Sequence, residues 1–225
     1  MLGGMSWESS ALYYELINEG IRERLGGLHS AACVLASVDF AVIERLQVSG
    51  EWSRAGQLLA EEARGLVAAG AECIVLCTNT MHKVAHDIEN AVKVPLLHLV
   101  DVTADAIREA GLKKVALLGT RFTMEERLYR DRMAMSGVEA LVPDADGRRI
   151  VNDVIYNELV VGVVREESRA QYRKIIERLA QAGAEGVILG CTEIELLLSQ
   201  DDSPIPVFAS TALHAQAAVN FSLGG

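Results

Sequence analysis

Two short polar segments of this sequence carry residue types that could do chemistry. One is Thr78-Asn79-Thr80 and the other is Cys191-Thr192-Glu193, and each directly follows an apolar run. A thiol has an ordinary pKa of about 8.5 and becomes a base or nucleophile once it is deprotonated, which a helix N-terminus favours. Hydroxyl, amide and carboxylate groups beside it can bind a small polar molecule or carry a proton. Cys191 is therefore the strongest candidate for a catalytic base.

The two segments are the diverging ends of an internal repeat. Residues 69–80 read AGAECIVLCTNT and residues 182–193 read AGAEGVILGCTE, and the copies align without a gap at a shift of 113 residues. At this shift Thr78, not Cys77, is opposite Cys191. The repeat predicts two related halves with equivalent functional positions.

Strands and helices alternate in each half, which is typical of an α/β protein with parallel sheets flanked by helices. The predicted strands are Ala31–Val38, Ile74–Cys77, Lys114–Leu118, Val187–Leu189 and the Pro-containing runs at 94–97 and 205–208. The predicted helices run from a Ser6 cap to Gly26-Gly27, from Ser53 to Ala69, from about His82, from a Thr123 cap to Gly137, and from Ser168 to Ala182.

These patterns predict two pseudo-symmetric domains that face each other. We expect the first to comprise residues 1–100 plus 209–225 and the second to comprise 101–208; a single break near residue 112 is the alternative. Ligands of open parallel sheets bind beyond the carboxyl ends of the strands. The Thr78 and Cys191 turns would then form opposite walls of one cleft, where a proton can leave one face of a carbon atom and return to the other.

Composition narrows the class of protein. The formal net charge of the 225 residues is −10 and the basic residues are scattered, so nucleic acid is not an expected partner. No apolar run approaches the roughly 20 residues that span a bilayer, and the first residues lack the pattern of a secretory signal. We therefore expect a cytoplasmic protein with no membrane partner. Cys33, Cys73, Cys77 and Cys191 lack zinc or redox spacing and are expected to be free thiols, with Cys33 and Cys73 as small buried residues.

The motifs resemble those of the aspartate/glutamate racemase superfamily. Asn79-Thr80-Met81-His82 is paired with Gly190-Cys191-Thr192-Glu193, and the runs GGMSWES (3–9) and RLGGLHSA (24–31) resemble the amino-acid racemase branch. This resemblance covers nearly the whole chain. It implies an isomerase that interconverts L- and D-amino acids, such as aspartate, glutamate or a related small amino acid. It also implies two cysteines as bases, with neither pyridoxal phosphate nor metal as cofactor, and substrate contacts from Met5 and Gln47.

The sequence departs from the two-cysteine pattern at the first position. The family has a cysteine immediately before the Asn of its N-T pair, whereas this chain has Thr78 there and Cys77 one residue earlier. Side chains alternate faces along a strand, so Cys77 is expected to point away from the direction of Thr78, unless a turn relaxes that rule. We predict Thr78 and Cys191 as catalytic residues, and Asn79, Thr80 and Thr192 as further substrate ligands.

Other features leave alternatives open. Only Met1 and Leu2 precede the GGMSW loop, where resembling proteins have a full apolar strand, so the first sheet is expected to lack the stabilisation of a full strand. A single cysteine would also suit a decarboxylase of the same superfamily, and a cis-trans isomerase of that superfamily is a further alternative. A non-catalytic protein that binds a small molecule is the third alternative. Besides a small-molecule substrate, the expected partner is a second copy of the chain in a homodimer.

Overall fold

The computed structural model describes residues 1–224, apart from the side chain of Leu128. The chain forms two compact units, one of Met1–Leu99 together with the chain from His214 onward, and one of Val100–Leu213. Gly225, which the predicted first domain included, lies outside the described residues. Every strand pair between residues 1 and 224 is parallel, which confirms the predicted α/β class.

The first unit contains short parallel strands. They are β1 (Leu2–Gly3), β2 (Ala36–Ser37), β3 (Ile74–Val75) and β4 (Leu96–Leu97). β1 pairs with β2, β3 pairs with β4, and a bridge between Leu2 and Leu76 joins the pairs, so the strand order is β2-β1-β3-β4. The helices between them are α1 (Trp7–Leu25), α2 (Phe40–Ser49), α3 (Trp52–Ala68) and α4 (Ala85–Ala91), with a 3₁₀ segment at Thr80–Val84.

The second unit has longer strands in one parallel sheet. They are β5 (Lys114–Gly119), β6 (Glu139–Leu141), β7 (Gly186–Gly190) and β8 (Val207–Ala209), in the order β6-β5-β7-β8. Helix α5 (Leu99–Glu109) begins at the last residue of the first unit and continues in the second, which also contains α6 (Arg121–Glu125), α7 (Arg127–Met135), α8 (Ala145–Asn157), α9 (Glu166–Gln181) and α10 (Ile194–Leu197). Helix α11 (Ser210–Ser222) begins in the second unit, and its residues from His214 onward belong to the first. The 3₁₀ segments are Leu159–Val161 and Gln200–Asp202.

Both units repeat one strand order, as the internal sequence repeat predicted. In each unit the second strand lies on one side of the first strand and the third strand lies on the other. The direction in which successive strands are added to the sheet therefore reverses between β1 and β3, and again between β5 and β7. Such a reversal separates the following loops and leaves a crevice at the carboxyl ends of the strands, where α/β proteins bind ligands.

Local sequence signals explain why the elements begin and end where they do. The Ser6 side chain caps α1 by accepting a hydrogen bond from the Ser9 N–H at 3.2 Å, and Gly26 ends the helix with a φ of 73°. The buried face of α1 includes Tyr13 and Ile17, which are at most 5% exposed. Strand β7 is buried along its whole length, as its continuous apolar run predicted.

Three predictions of local structure are wrong. The strand predicted over Ala31–Val38 is reduced to Ala36–Ser37, and Cys33, predicted to be buried, is exposed. β2 lies at the edge of its sheet, and the Ala31 N–H bonds to the Asn18 side chain of α1 instead of to a strand. The helix predicted from Thr123 to Gly137 is split into α6 and α7, and its cap is Thr120, whose hydroxyl accepts from the Thr123 N–H. Cys73, also predicted to be buried, is half-buried.

Among the described residues no helix is both long enough and apolar enough to cross a membrane.

Candidate functional site

Cys77, the alternative first base, is a core residue. Its side chain has no exposed surface and packs among Tyr13, Ile17 and other residues of α1 and α11. Its N–H donates to the Leu2 carbonyl at 2.9 Å, and its own carbonyl accepts from the Ser9 hydroxyl at 3.2 Å. Burial raises the pKa of the Cys77 thiol to about 12. A thiol with that pKa is almost entirely protonated near neutral pH and is a poor base.

Thr78 begins the polar turn that follows β3. Thr78, Asn79 and Thr80 are all half-buried, in contrast to the fully buried residues before them. The Thr78 N–H donates to the Leu76 carbonyl at 2.8 Å, and the Thr78 carbonyl accepts from Nδ1 of His82 at 2.7 Å. Asn79 makes no side-chain capping bond to the 3₁₀ segment that follows it. The chain therefore presents hydroxyl and amide groups, but no thiol, at this strand end.

The loop after β1 is shaped by close contacts around glycine. Gly4 has a φ of 91°, its N–H donates to the Ser10 hydroxyl at 2.8 Å, and a side chain there would collide with the backbone of Val38. Met5, which follows, is only 6% exposed and belongs to the apolar core of this unit. The structure thus gives Met5 a packing role, and its predicted contact with a substrate stays a prediction.

Gln47, on α2, contacts the turn after β3. Its amide Nε2 is 3.0 Å from the sulfur of Met81, which directly follows Thr80 in the chain. No local sequence pattern predicts this contact, because the two residues are 34 positions apart in the chain. The structure brings Gln47 close to the Thr78–Thr80 turn, and its predicted contact with a substrate stays a prediction.

The turn after β7 contains a hydrogen-bonded group of thiol, hydroxyl and carboxylate. The Cys191 thiol donates to Oε2 of Glu193 at 2.8 Å, and the Thr192 hydroxyl donates to the same oxygen at 2.7 Å. Cys191 and Glu193 are half-buried and Thr192 is 9% exposed. Glu193 therefore holds the thiol through a direct contact and can accept its proton. The sequence predicted Glu193 as a polar neighbour of Cys191 but not as a site residue.

The pKa of Cys191 is raised, whereas the sequence predicted that a helix N-terminus would lower it. Burial is the largest cause of the rise, and the charge of the adjacent Glu193 carboxylate is the second. The helix that follows, α10, has only four residues, so its dipole is small. Cys191 at rest is therefore a thiol that donates a hydrogen bond to Glu193, and it becomes a thiolate only when that proton moves.

Within each unit the predicted catalytic residue follows the strand at which the order of connections reverses. Thr78 follows β3, beside the loop that follows β1, and Cys191 follows β7, beside the loop that follows β5. The described residues include no cluster of three or more His, Cys, Asp or Glu side chains arranged to hold a metal ion. The arrangement offers proton donors and acceptors at two equivalent strand ends.

Comparison with known proteins gives consistent matches along the chain. The sequence profile of the Asp/Glu/hydantoin racemase family matches residues 2–218. The chain is similar to the broad specificity amino-acid racemase RacX of Bacillus subtilis (strain 168), with 27% identity over 155 residues that cover 67% of this chain and 65% of that protein.

Solved structures extend this similarity to the fold. A protein from Yersinia pestis described as a candidate Asp/Glu racemase has 52% identity and a TM-score of 0.95, with coverage of 99% of this chain and 97% of that one. An aspartate racemase homologue from Pyrococcus horikoshii OT3 has 32% identity and a TM-score of 0.89, with the same coverage of 99% and 97%. From the profile match and these relatives together, the chain belongs to the Asp/Glu/hydantoin racemase family.

Proposed function

We propose that this protein is a racemase that inverts the α-carbon of an amino acid without pyridoxal phosphate or metal. The observation that supports this proposal most is the Cys191 thiol at the end of β7, 2.8 Å from a carboxylate that can take its proton. The reaction class is supported by the relatives, which are described as amino-acid, Asp/Glu or aspartate racemases or their homologues. For the substrate we propose aspartate, glutamate or a related small amino acid, because the family and the structural relatives bear those names.

The proposed reaction from the L-enantiomer begins at Cys191. Glu193 accepts the thiol proton, and the resulting thiolate accepts the α-proton, so that the electron pair left on the α-carbon is delocalised into the substrate carboxylate. A proton from the Thr78 hydroxyl, or from a water molecule that it holds, then adds to the opposite face. One proton enters the enzyme and one leaves it. Thr78 or its water is reprotonated from solvent, and Glu193 returns its proton to solvent, after which the cycle can repeat.

Substrate binding is proposed to use the polar groups around the two turns. The half-buried Asn79 and Thr80 can donate hydrogen bonds to the α-carboxylate, and Gln47 lies next to this turn through its contact with Met81. The Thr192 hydroxyl is already directed at Glu193, so we assign Thr192 to orienting that carboxylate as much as to binding substrate. Each donor that binds the α-carboxylate also stabilises the negative charge that develops there when the α-proton leaves.

The test is α-proton exchange in deuterium oxide. Each L-amino acid of a panel is incubated with the protein and followed by proton NMR, with the Cys191→Ala variant as the matched control. We expect loss of the α-proton signal, together with formation of the D-enantiomer, for an acidic or small amino acid. In parallel incubations, release of carbon dioxide from an arylmalonate or conversion of maleate to its trans isomer, without α-proton exchange in any amino acid, would instead indicate a related decarboxylase or cis-trans isomerase. Saturable binding with no exchange for any member of the panel would contradict the proposal and favour a binding protein.

A further inference from the structure

The internal repeat makes two further residues equivalent. His82 lies four residues after Thr78, and Glu195 lies four residues after Cys191, so the same shift of 113 residues relates them. Both side chains are withdrawn from solvent, with His82 only 3% exposed and Glu195 half-buried. Their chemistry differs, so sequence comparison of the two halves gives no sign of a shared role. The hydrogen bonds of the two side chains, in contrast, indicate a shared role.

His82 connects its turn to the start of α5. Its Nε2 accepts a hydrogen bond from the Leu99 backbone N–H at 3.2 Å, and its Nδ1 lies 2.7 Å from the Thr78 carbonyl. A backbone N–H can only donate and a carbonyl can only accept, so Nε2 is the acceptor and Nδ1 carries the proton. Both ring nitrogens are therefore used by the neutral imidazole in one tautomer. The ring holds the carbonyl of Thr78 at one end and the first residue of α5 at the other.

Glu195 makes the corresponding connection in the second unit. Its Oε1 accepts from the Thr211 backbone N–H at 3.1 Å, and Thr211 is the second residue of α11. The Glu195 N–H donates to the Thr192 carbonyl at 3.2 Å, which places its backbone within the turn of Cys191. In both units, then, the fourth residue after the predicted proton carrier accepts a hydrogen bond from the first turn of the helix that follows the last strand of that half.

We propose that His82 and Glu195 are equivalent positioning residues, each fixing the turn that carries a proton carrier by anchoring it to the helix N-terminus of α5 or α11. The proposal rests on the assignment of Thr78 and Cys191 as proton carriers. Proton transfer at carbon depends steeply on the distance and direction of the donor and acceptor, and displacements of about 1 Å can reduce a rate on the order of a hundredfold. An anchor that never touches the substrate can therefore control turnover.

Two substitutions of His82 separate its two contacts. In His82→Asn the amide nitrogen stands where Nδ1 stood and can still donate to the Thr78 carbonyl, but the acceptor for Leu99 is lost. In His82→Gln the amide oxygen can reach the Nε2 position and still accept from Leu99, but the donor to Thr78 is lost. Each variant loses one hydrogen bond, so a merely structural role would lower the melting temperature and kcat of both by similar amounts.

The positioning role predicts that the two variants differ. We expect His82→Gln to lower kcat on the order of tenfold with KM within about threefold of wild type, and His82→Asn to keep most of the wild-type kcat. Amide hydrogen exchange at Leu99 is expected to rise in His82→Asn and to stay protected in His82→Gln. Equal kcat values and equal Leu99 exchange rates in the two variants would overturn the proposal for His82.

A matched pair tests Glu195. Glu195→Gln keeps an oxygen that can accept from Thr211, whereas Glu195→Ala removes it. We expect Glu195→Ala to lower kcat on the order of tenfold and to expose the Thr211 amide to exchange, and Glu195→Gln to restore both towards the wild-type values. Similar loss in both variants would overturn the proposal for Glu195, because the anchor would then not be the feature that matters.

The same measurements distinguish this inference from the proposed function. If wild-type protein exchanged no α-proton of any amino acid, the proposed function and the catalytic part of the inference would both be refuted. The exchange rates of the Leu99 and Thr211 amides need no substrate, and they would still decide whether the two anchors exist. If the wild type is active while the paired variants do not differ, the proposed function stands and the positioning role is refuted.

Discussion

The turn after β3 and the turn after β7 occupy the same position in two units of identical strand order, yet they carry different functional groups. The first turn contains hydroxyl and amide groups and is held by the neutral His82. The second contains a thiol in contact with a carboxylate, and it is followed by Glu195, which accepts a hydrogen bond from the Thr211 N–H. The repeated fold therefore supplies two equivalent positions, and the residues at those positions decide which one can act as a base.

The same contrast extends to the ionisable groups buried near each turn. In the first unit, burial lowers the pKa of His214 to about 4, so the imidazole stays neutral. In the second unit, burial raises the pKa of Glu195 to about 7. Ionisation of this side chain near neutral pH therefore lowers the stability of the folded state. Acid is therefore expected to weaken the first unit, whereas neutral pH weakens the second.

The largest effect is expected from removing the thiol of the second turn. Cys191→Ala leaves Glu193 with no thiol proton to accept, so α-proton exchange should fall by on the order of a thousandfold or more. The free energy of unfolding should change little, by the order of 1 kcal/mol that is usual for one substitution. Cys33→Ala, which removes an exposed thiol, is the control and should keep full activity. Wild-type turnover in Cys191→Ala would show that the two turns do not differ in the proposed way.

Acid sensitivity of the first unit is expected to come from His214. Its Nε2 donates to the Leu97 carbonyl at 2.7 Å, its Nδ1 accepts from the Tyr13 hydroxyl at 2.9 Å, and the His82 ring centroid lies 5.6 Å away. The pKa is 6.5 in its ordinary state and about 4 in the folded chain, so between these values the unfolded state binds more protons.

The contribution of His214 is therefore complete above pH 6.5 and is lost as the pH falls to about 4. The separation of the two pKa values corresponds to about 3 kcal/mol of unfolding free energy. His214→Gln, which keeps a donor for the Leu97 carbonyl but does not titrate, should show a smaller loss of stability over this range in urea unfolding. His29→Gln, at an exposed position, should behave as wild type. An unchanged acid profile in His214→Gln would contradict the assignment.

The opposite pH dependence is expected from Glu195. Its pKa rises from an ordinary 4.5 to about 7, chiefly through burial, so between these values the folded state binds more protons than the unfolded state. This group therefore lowers stability progressively as the pH rises from 4.5 to 7, by up to about 3 kcal/mol. Glu195→Gln does not titrate, so it should remove that slope. Its gain in unfolding free energy over the wild type should therefore be larger at pH 7 than at pH 4.5. The same difference between variant and wild type at both pH values would contradict the prediction.

The sequence predicted the elements whose pattern is local and continuous. In Lys114–Leu118 and Val187–Leu189 every residue except Lys114 is apolar, because those strands are buried on both faces, and the structure confirms them. Ala31–Val38 has a similar composition but lies at a sheet edge, and edge position depends on the whole topology. No local pattern distinguishes the two cases.

For the candidate site, the repeat predicted where chemistry would lie but not the environment there. The alignment of the two copies singled out Thr78 and Cys191, and each lies at the end of its strand. The raised pKa of Cys191 depends on burial and on the rotamer of Glu193, which sequence does not specify. The bond from Leu99 to His82 joins residues 17 positions apart, with α4 and β4 between them, so it could be found only from coordinates.

A change in the first turn should make the two halves more alike. With Cys191 as thiolate and Thr78 as donor, the wild type is expected to turn over the L-enantiomer faster than the D-enantiomer, since an unassisted hydroxyl is a poor base. The enantiomers have equal free energy in water, so kcat/KM must be equal in the two directions and the asymmetry must appear as a low kcat with a low KM for the D-enantiomer. Thr78→Cys should raise kcat from the D-enantiomer by about tenfold, as measured by circular dichroism. Equal wild-type kcat values for both enantiomers would refute the asymmetric assignment.

The smallest effect is expected from Cys77, and it tests whether the first turn has a hidden thiol. If its fully buried side chain serves only the core, Cys77→Ala should lower the unfolding free energy by about 1 kcal/mol, because a small cavity forms beside Tyr13 and Ile17. Proton exchange from both enantiomers should be unchanged, since a thiol whose pKa is about 12 carries almost no thiolate near neutral pH. The two measurements are independent, so each outcome is informative. Lost exchange from the D-enantiomer with an unchanged melting temperature would mean that Cys77, rather than Thr78, is the first proton carrier, and both turns would then act through thiols.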